Sequence, residues 1–108
     1  NGADGITFSF QSRCVTAGGI GGGMGISGVN PSLFVEFDAF QNTDAGDLSA
    51  DHVGILKNGI LDHNSSSNLI TPVPALANSG NIENGQYWAV RIIWAPSTNN
   101  LRVFFNGV

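Results

Sequence analysis

The residues best suited to chemistry in this sequence are concentrated between positions 36 and 52. This segment carries carboxylate, amide and imidazole side chains, namely Glu36, Asp38, Asn42, Asp47 and His52. Carboxylate, amide and backbone carbonyl oxygens suit Ca²⁺, whereas an imidazole added to carboxylates suits Mn²⁺ or another borderline divalent ion. The segment therefore predicts a cation site, with calcium as its first expected occupant and a transition metal as its second.

A strand must position the first of these ligands, and the β-rich run at 33–40 supplies it. Alternate side chains of a strand point to one face, so Glu36 and Asp38 are expected on the same side. The Phe40 backbone and Asn42 continue this alternation as the strand runs out into a polar loop. Asp47 and His52 would fold back over these residues from the end of that loop. Two adjacent cations bridged by shared carboxylates would follow.

Other functions for the same residues fit the sequence less well. The spacing does not match the calcium-binding loop of an EF-hand. A jelly-roll β-glucanase would place carboxylates in a Glu-x-Asp-x-x-Glu pattern, but Gln41 stands at the third position and cannot act as a general acid. No nucleophile elbow or Cys/His signature frames His52 or His63. We therefore expect a binding protein and not an enzyme.

The remaining pattern predicts short strands separated by turns. Alternation and β-rich composition mark strands at Ile6–Gln11, His52–Leu56, Tyr87–Trp94 and Leu101–Phe105. Residues 18–28 contain seven glycines and predict a tightly turning loop. Residues 63–77 predict loop with at most one edge strand, and His63 is assigned there to a solvated position. These features favour an antiparallel β-sandwich or jelly roll. Core packing is expected for the aromatic residues Phe8, Phe10, Trp88, Trp94, Phe104 and Phe105.

Composition limits the possible partners. The chain has 108 residues, enough for a single domain, and a formal net charge of −4, which disfavours nucleic acid as a partner. No apolar run approaches the roughly 20 residues that cross a bilayer, so no membrane insertion is expected. Cys14 is the single cysteine and is expected to be a small buried side chain. The missing initiator Met, and an end directly after a strand pattern, predict a piece of a longer polypeptide.

The joint spacing of the ligands resembles that of the legume-lectin-like, or L-type lectin, family at all six ligand positions. The resemblance implies that Glu36 and His52 bind a transition metal and that Asp38 and Asp47 are shared by both ions. It implies that the Phe40 carbonyl and the Asn42 amide bind calcium. The string Asp51-His52-Val53-Gly54-Ile55 and the Gly-rich loop are also similar to the family.

The opening Ala3-Asp4-Gly5-Ile6 is similar to the family as well, and it carries the expectation of a carbohydrate site. The resemblance implies a cis bond between Ala3 and Asp4, and an Asp4 carboxylate that accepts hydrogen bonds from sugar hydroxyls. The other implied sugar contacts are a backbone N–H at Gly22, with Gly23 beside it, the Phe40 ring and the Asn42 amide.

The resemblance covers most of the chain and is greatest to the bacterial variety found in secreted or surface adhesins. It implies a concanavalin A-like jelly-roll sandwich, of which residues 1–108 would be the central part, lacking strands at both ends. The expected function is calcium-dependent binding of a glycan or polysaccharide by a module of a larger extracellular or cell-surface protein. The alternative is a structural adhesin module that retains its metals for stability and binds no sugar.

Overall fold

The computed structural model describes residues 3–107 of the chain. Its strands are β1 (Gly5–Gln11), β2 (Ser32–Asp38), β3 (His52–Lys57), β4 (Val73–Pro74), β5 (Val90–Ala95) and β6 (Asn100–Phe105). The first four form an antiparallel sheet in the order β1-β2-β3-β4, and β5 and β6 form a separate antiparallel hairpin. Two single-turn 3₁₀ helices lie at Gly21–Gly23 and Thr43–Ala45. The predicted all-β, antiparallel fold class is confirmed.

Strand β2 lies in the interior of the four-stranded sheet, and its side chains alternate between two differently packed faces. Val35 and Phe37 belong to one hydrophobic cluster, whereas Phe34 belongs to another. Glu36 and Asp38 share the face of Phe34, as the period-2 pattern predicts. Both carboxylates are buried, with 1% and 4% of their surface exposed. The fold therefore places two acidic side chains on the same face of the sheet as an apolar core.

The first cluster joins the sheet to the hairpin. Val35 and Phe37 of β2 pack with Val53 and Ile55 of β3 and with Phe105 of β6. The rings of Phe37 and Phe105 have centroids 5.9 Å apart. Because an aromatic side chain of β6 lies against one face of the sheet, the β5-β6 hairpin forms a second layer over that face. This two-layer packing is the arrangement expected of a sandwich.

The second cluster anchors the glycine-rich segment to the opposite face of the sheet. Ile26 and Val29 are buried against Phe34 and Leu56. Burying a side chain of this size stabilises the fold by about 1.5–3 kcal/mol. Ile26 in this segment and Val29 just after it therefore hold the segment against the sheet as a packed loop. Its position beside Glu36 and Asp38 follows from the same contacts.

The strand β5 begins three residues later than the sequence pattern predicts, at Val90 and not at Tyr87. Trp88 explains the difference, because its indole N–H donates a hydrogen bond to the carbonyl of Ile82, 2.7 Å away. Its ring also lies near Phe105, with centroids 5.8 Å apart. The alternation before Val90 therefore reflects a loop that packs on the core. The predicted edge strand within 63–77 is found as β4.

Several expectations of burial were wrong. Phe8, Phe10 and Trp94 are each close to half-exposed, although Phe105 is buried as predicted. Phe8 and Phe10 pack edge to face on each other, with centroids 5.3 Å apart. Cys14 is exposed and its Sγ lies 3.1 Å from Thr16 Oγ1. Among residues 3–107, no helix has the length and apolar character needed to cross a membrane.

Candidate metal centre and adjoining loops

The two ends of the acidic loop, residues 39–51, meet at the centre of the candidate site. Asp38 ends β2 and His52 begins β3, and the two residues are direct partners in the antiparallel register. Glu36 lies one alternate position back on β2, and His52 is 1% exposed. Strand pairing therefore brings three of the predicted metal ligands together before any loop residue is considered.

Hydrogen bonds within the loop bring the remaining predicted ligands to the same place. The Phe40 N–H donates to Oδ1 of Asp38 at 2.7 Å. The Asn42 N–H donates to Oδ2 of Asp47, also at 2.7 Å. The Asp47 side chain is 4% exposed. The loop is thus folded over its own carboxylates, which leaves a small polar cavity of about 200 Å³. Its lining includes Gly22, Met24, Glu36, Asp38, Asn42, Asp44 and Asp47.

Two groups of side chains bring their ligand atoms close enough to hold one ion each. Asp38, Asp47 and His52 form one group, in which the ligand atoms all lie within 4.8 Å of one another. Glu36, His52 and His63 form the second by the same measure. His52 belongs to both groups. The sequence anticipated every member of these groups except His63.

The assignment of His63 to a solvated position was wrong. Its side chain is 4% exposed, and Nε2 lies 2.6 Å from Oε1 of Glu36 and 3.3 Å from Nε2 of His52. The backbone N–H of His63 donates to the carbonyl of Ala45. The tight turn at Asn58 and Gly59 sends the chain back beside β3, towards the end of the strand that begins with His52. That turn was the one sequence signal that could have located His63.

Gly54 makes the approach of Glu36 and His63 possible. It lies in β3 directly opposite Glu36 in the register. A Cβ placed on Gly54 would overlap Oε1 of Glu36 and would lie 2.8 Å from Cε1 of His63. Any larger residue would therefore displace both side chains. In the sequence, Gly54 stands out only as part of the string similar to the family, and its role in the site was missed.

Burial and mutual repulsion disfavour the charged forms of the carboxylates. Burial raises the pKa of Asp38 to about 6, with smaller contributions from the neighbouring Asp47 and Glu36 carboxylates. The Phe40 N–H and His52 act in the opposite direction. Burial also raises the pKa of Asp47. A bound cation would reverse this preference, since a positive ion stabilises the deprotonated forms.

The pKa of His63 is raised to about 9 by its surroundings. Burial is the largest single effect and would lower this pKa, but the contacts with Glu36, Asn68 and Asp47 together outweigh it. Without a metal, His63 therefore carries a proton at neutral pH and is paired with Glu36.

The chemistry of the donor set fits bound divalent cations. Oε1 of Glu36 is fully buried and accepts no hydrogen bond, although the protonated His63 places Nε2 2.6 Å away as a positive charge that a bound cation could replace. A buried carboxylate oxygen without an aligned donor is costly unless a cation compensates it. Carboxylates, an amide and two imidazoles supply both hard oxygen and borderline nitrogen ligands.

Three of the five residues predicted to contact sugar, namely Asp4, Gly22 and Asn42, lie together next to this pocket. The Ala3–Asp4 peptide bond is cis, which confirms that expectation. The Asp4 carbonyl accepts a hydrogen bond from the Ala39 N–H at 2.8 Å. A Cβ placed on Gly22 would lie 3.9 Å from Oδ1 of both Asp4 and Asn42. These three residues therefore converge beside the candidate metal pocket.

Gly23 and Phe40 occupy different positions from that convergence. The Gly23 N–H donates to the Ile20 carbonyl, and a Cβ on Gly23 would face Ser27 instead of Asp4. Gly22 therefore faces Asp4 and Asn42, whereas its neighbour Gly23 faces Ser27. The Phe40 side chain is 48% exposed and borders a shallow depression that Ala3 and Ala39 also line. Its ring is accessible to a ligand.

Comparison with known proteins agrees with this geometry. The sequence matches the family model of the legume lectin domain over residues 1–108. Proteins of this family bind carbohydrates and are not enzymes, and they generally hold metal ions. The clustered carboxylates and histidines fit such ions. The chain therefore belongs to the legume lectin family and has its antiparallel jelly-roll architecture.

Proposed function

We propose that this chain binds a glycan in a calcium-dependent manner, at a surface formed by Asp4, Gly22, Phe40 and Asn42. The convergence of Asp4, Gly22 and Asn42 beside the polar pocket is the observation that carries the proposal. Asn42 lines that pocket together with Asp38 and also approaches Gly22. A ligand that contacts Asn42 would therefore depend on how the pocket is occupied.

The proposed ligand sets are those that the resemblance to the family implies, and they draw on residues of both observed groups. Calcium would be held by Asp38, the Phe40 carbonyl, Asn42 and Asp47. A transition metal would be held beside it by Glu36 and His52, with Asp38 and Asp47 shared between the ions. When bound, calcium supplies positive charge that neutralises the shared carboxylates. The raised pKa values of Asp38 and Asp47 support this set, because they indicate carboxylates that lack sufficient compensation without a cation.

Each sugar-binding residue has a distinct task in this proposal. The Asp4 carboxylate accepts hydrogen bonds from sugar hydroxyls, whereas the Gly22 N–H and the Asn42 amide supply donors. The half-exposed Phe40 ring covers an apolar face of the sugar. The hydrogen bond from Phe40 N–H to Asp38 links the ring to the metal pocket. Loss of metal would thus displace both Phe40 and Asn42.

We also propose that the domain acts outside the cell or at the cell surface, as part of a larger bacterial protein or adhesin. The similarity of its motifs to the bacterial secreted variety of the family supports this context. Fractionation of the source cells, followed by immunodetection of the chain, tests it. Detection confined to the cytoplasm would contradict this part of the proposal.

The decisive test combines metal analysis with glycan binding. Purified protein is assayed for bound calcium and transition metal, and for binding to a glycan array, before and after chelation. Calcium together with chelation-sensitive glycan binding supports the proposal. Calcium without glycan binding favours the alternative of a structural module that holds metals for stability. Glycan binding that survives complete removal of metal overturns the calcium dependence.

A further inference from the structure

We propose that His63 is a direct ligand of the transition-metal position through its Nε2 atom. This position would then contain two imidazoles, from His52 and His63, and the carboxylate of Glu36. Such a site favours a zinc-like ion over Mn²⁺. The inference rests on the proposed function in that it concerns the same metal centre, but its test is independent of sugar binding.

The spacing of the three ligand atoms fits one shared ion. The separations are 2.6 Å for Glu36 Oε1 to His63 Nε2, 3.3 Å between the two Nε2 atoms, and 3.8 Å for Glu36 Oε1 to His52 Nε2. Ligands bound at about 2.1 Å to a tetrahedral or octahedral ion lie about 3.0–3.4 Å apart. The observed separations bracket this range, so movements of a few tenths of an ångström would complete the site.

The orientation of the two imidazole rings also indicates a metal between them. Nδ1 of His52 lies 3.2 Å from the Ala50 carbonyl, and Nδ1 of His63 lies 3.0 Å from Oδ1 of Asn68. Each acceptor requires a hydrogen on Nδ1, which leaves the Nε2 lone pair of the neutral ring free. Both lone pairs are then directed towards the same small volume beside Glu36. A histidine that binds a metal through one ring nitrogen usually donates the N–H of its other ring nitrogen to an oxygen acceptor.

The surrounding structure holds His63 in this position independently of any ion. Its N–H donates to Ala45 in the acidic loop, and its Nδ1 contacts Asn68 in the segment that returns beside β3. Gly54, which has no side chain, leaves room for the His63 ring beside β3. The histidine is thus fixed from two separate parts of the chain, as a preorganised ligand requires.

Ligand chemistry sets the expected metal preference. For divalent first-row ions at a given nitrogen and oxygen site, affinity increases from Mn²⁺ through Co²⁺ and Ni²⁺, and Zn²⁺ also binds well above Mn²⁺. A second imidazole in place of an oxygen ligand strengthens this order, because imidazole suits zinc, copper and nickel whereas carboxylate and water suit Mn²⁺. We expect zinc or cobalt to displace Mn²⁺ from this centre at equal concentration.

The test uses the zinc-loaded chain and its His63→Ala and His63→Gln variants, with Ser66→Ala, at an exposed position of the same loop, as a control. X-ray absorption at the zinc edge counts imidazoles, and competition with a chelator gives zinc affinity. We expect two imidazoles in the parent protein and in Ser66→Ala, and one in each His63 variant. Removing an outer partner of a ligand costs about 10- to 100-fold in metal affinity, so loss of His63 should cost at least about 100-fold.

One imidazole in the parent protein would overturn the inference, even if the variants failed to fold. An unchanged zinc affinity in folded His63→Ala would do the same. Calcium content and glycan binding are measured on the same samples. A parent protein with calcium-dependent glycan binding but one zinc imidazole retains the proposed function and loses this inference. A parent protein with two zinc imidazoles but no glycan binding retains the inference and loses the proposed function.

Discussion

Asp38 and His52 face each other as register partners at the point where β2 ends and β3 begins. The loop between them, residues 39–51, therefore starts and finishes at the candidate metal centre. Its own ligands need only fold back over this pair, and the hydrogen bond from Asn42 to Asp47 fixes that fold. The centre is consequently built by local chain reversal on a rigid strand pair.

Replacing Asp38 with Asn should remove both metals. The substitution takes away the carboxylate shared by the two proposed ligand sets, so the affinity for each ion should fall by at least about 10- to 100-fold. The metal-free protein should be no less stable, because burial raises the pKa of Asp38 and makes its charged form unfavourable. Metal analysis and denaturant unfolding in chelator test the two effects. Retention of both ions would show that Asp38 is not a shared ligand.

Replacing Gly54 with Ala should close the space used by Glu36 and His63. The new Cβ would overlap the Glu36 carboxylate, and overpacking of this kind typically costs about 1–3 kcal/mol in unfolding free energy. Transition-metal content should fall with it. Ile55→Val, at the next residue on the opposite face, is the control, since it should cost about 0.5–1.5 kcal/mol without metal loss. Equal metal content in both variants would contradict the role of Gly54.

Replacing Asp4 with Asn should weaken glycan binding while the metals stay bound. Hydrogen bonds to a charged group contribute about 1.5–3 kcal/mol, so affinity should fall about 10- to 100-fold. Asp4 is absent from both candidate ligand groups, so calcium content is expected to match the parent protein. Titration calorimetry with a glycan selected on the array measures the change. Undiminished affinity would remove Asp4 from the site and favour the structural-module alternative.

Stabilisation by metal should increase from pH 5 to pH 8. The pKa of Asp38 is raised from 3.8 to about 6 on folding. The metal-free protein therefore loses the stability contributed by this group as the pH rises from 3.8 to about 6. The pKa of His63 is raised from 6.5 to about 9, so its contribution is complete below pH 6.5 and is lost as pH rises through 9.

Bound metal requires the deprotonated forms of Asp38 and His63. The stabilisation that metal provides should therefore increase as the pH rises. An ion at about 100 times its dissociation constant stabilises the fold by about 2.7 kcal/mol. Melting temperatures measured with and without calcium and zinc at each pH test the trend. An increment that is constant, or largest at pH 5, would contradict it.

Local alternation was sufficient to predict the shared face of Glu36 and Asp38, because side-chain direction in a strand depends only on position along it. The position of His63 was not predictable in this way. It depends on how residues 60–67 return after the turn at Asn58 and Gly59, and on a hydrogen bond to Ala45 from a different loop. Composition around His63 is polar, which favoured a solvated position and concealed the burial of the ring.

The exposure of the aromatic side chains could not be predicted from the local sequence pattern either. Phe8 and Phe10 alternate with polar residues as core positions do, yet both are about half-exposed. Burial depends on what covers a face, and alternation identifies only that the two faces differ. Trp88 shows the same limit, because one hydrogen bond to the Ile82 carbonyl holds it in a loop where the alternation predicted a strand.

The alternation of β2 has a consequence for how this domain can vary between relatives. The strand carries apolar side chains for the hairpin on one face and metal ligands on the other, one residue apart. Deleting or inserting one residue near its start would exchange the two faces. Glu36 and Asp38 would then enter the apolar layer beside Val53 and Phe105, and Val35 and Phe37 would point into the polar cavity. The strand can therefore tolerate changes of residue type far more readily than a change of length.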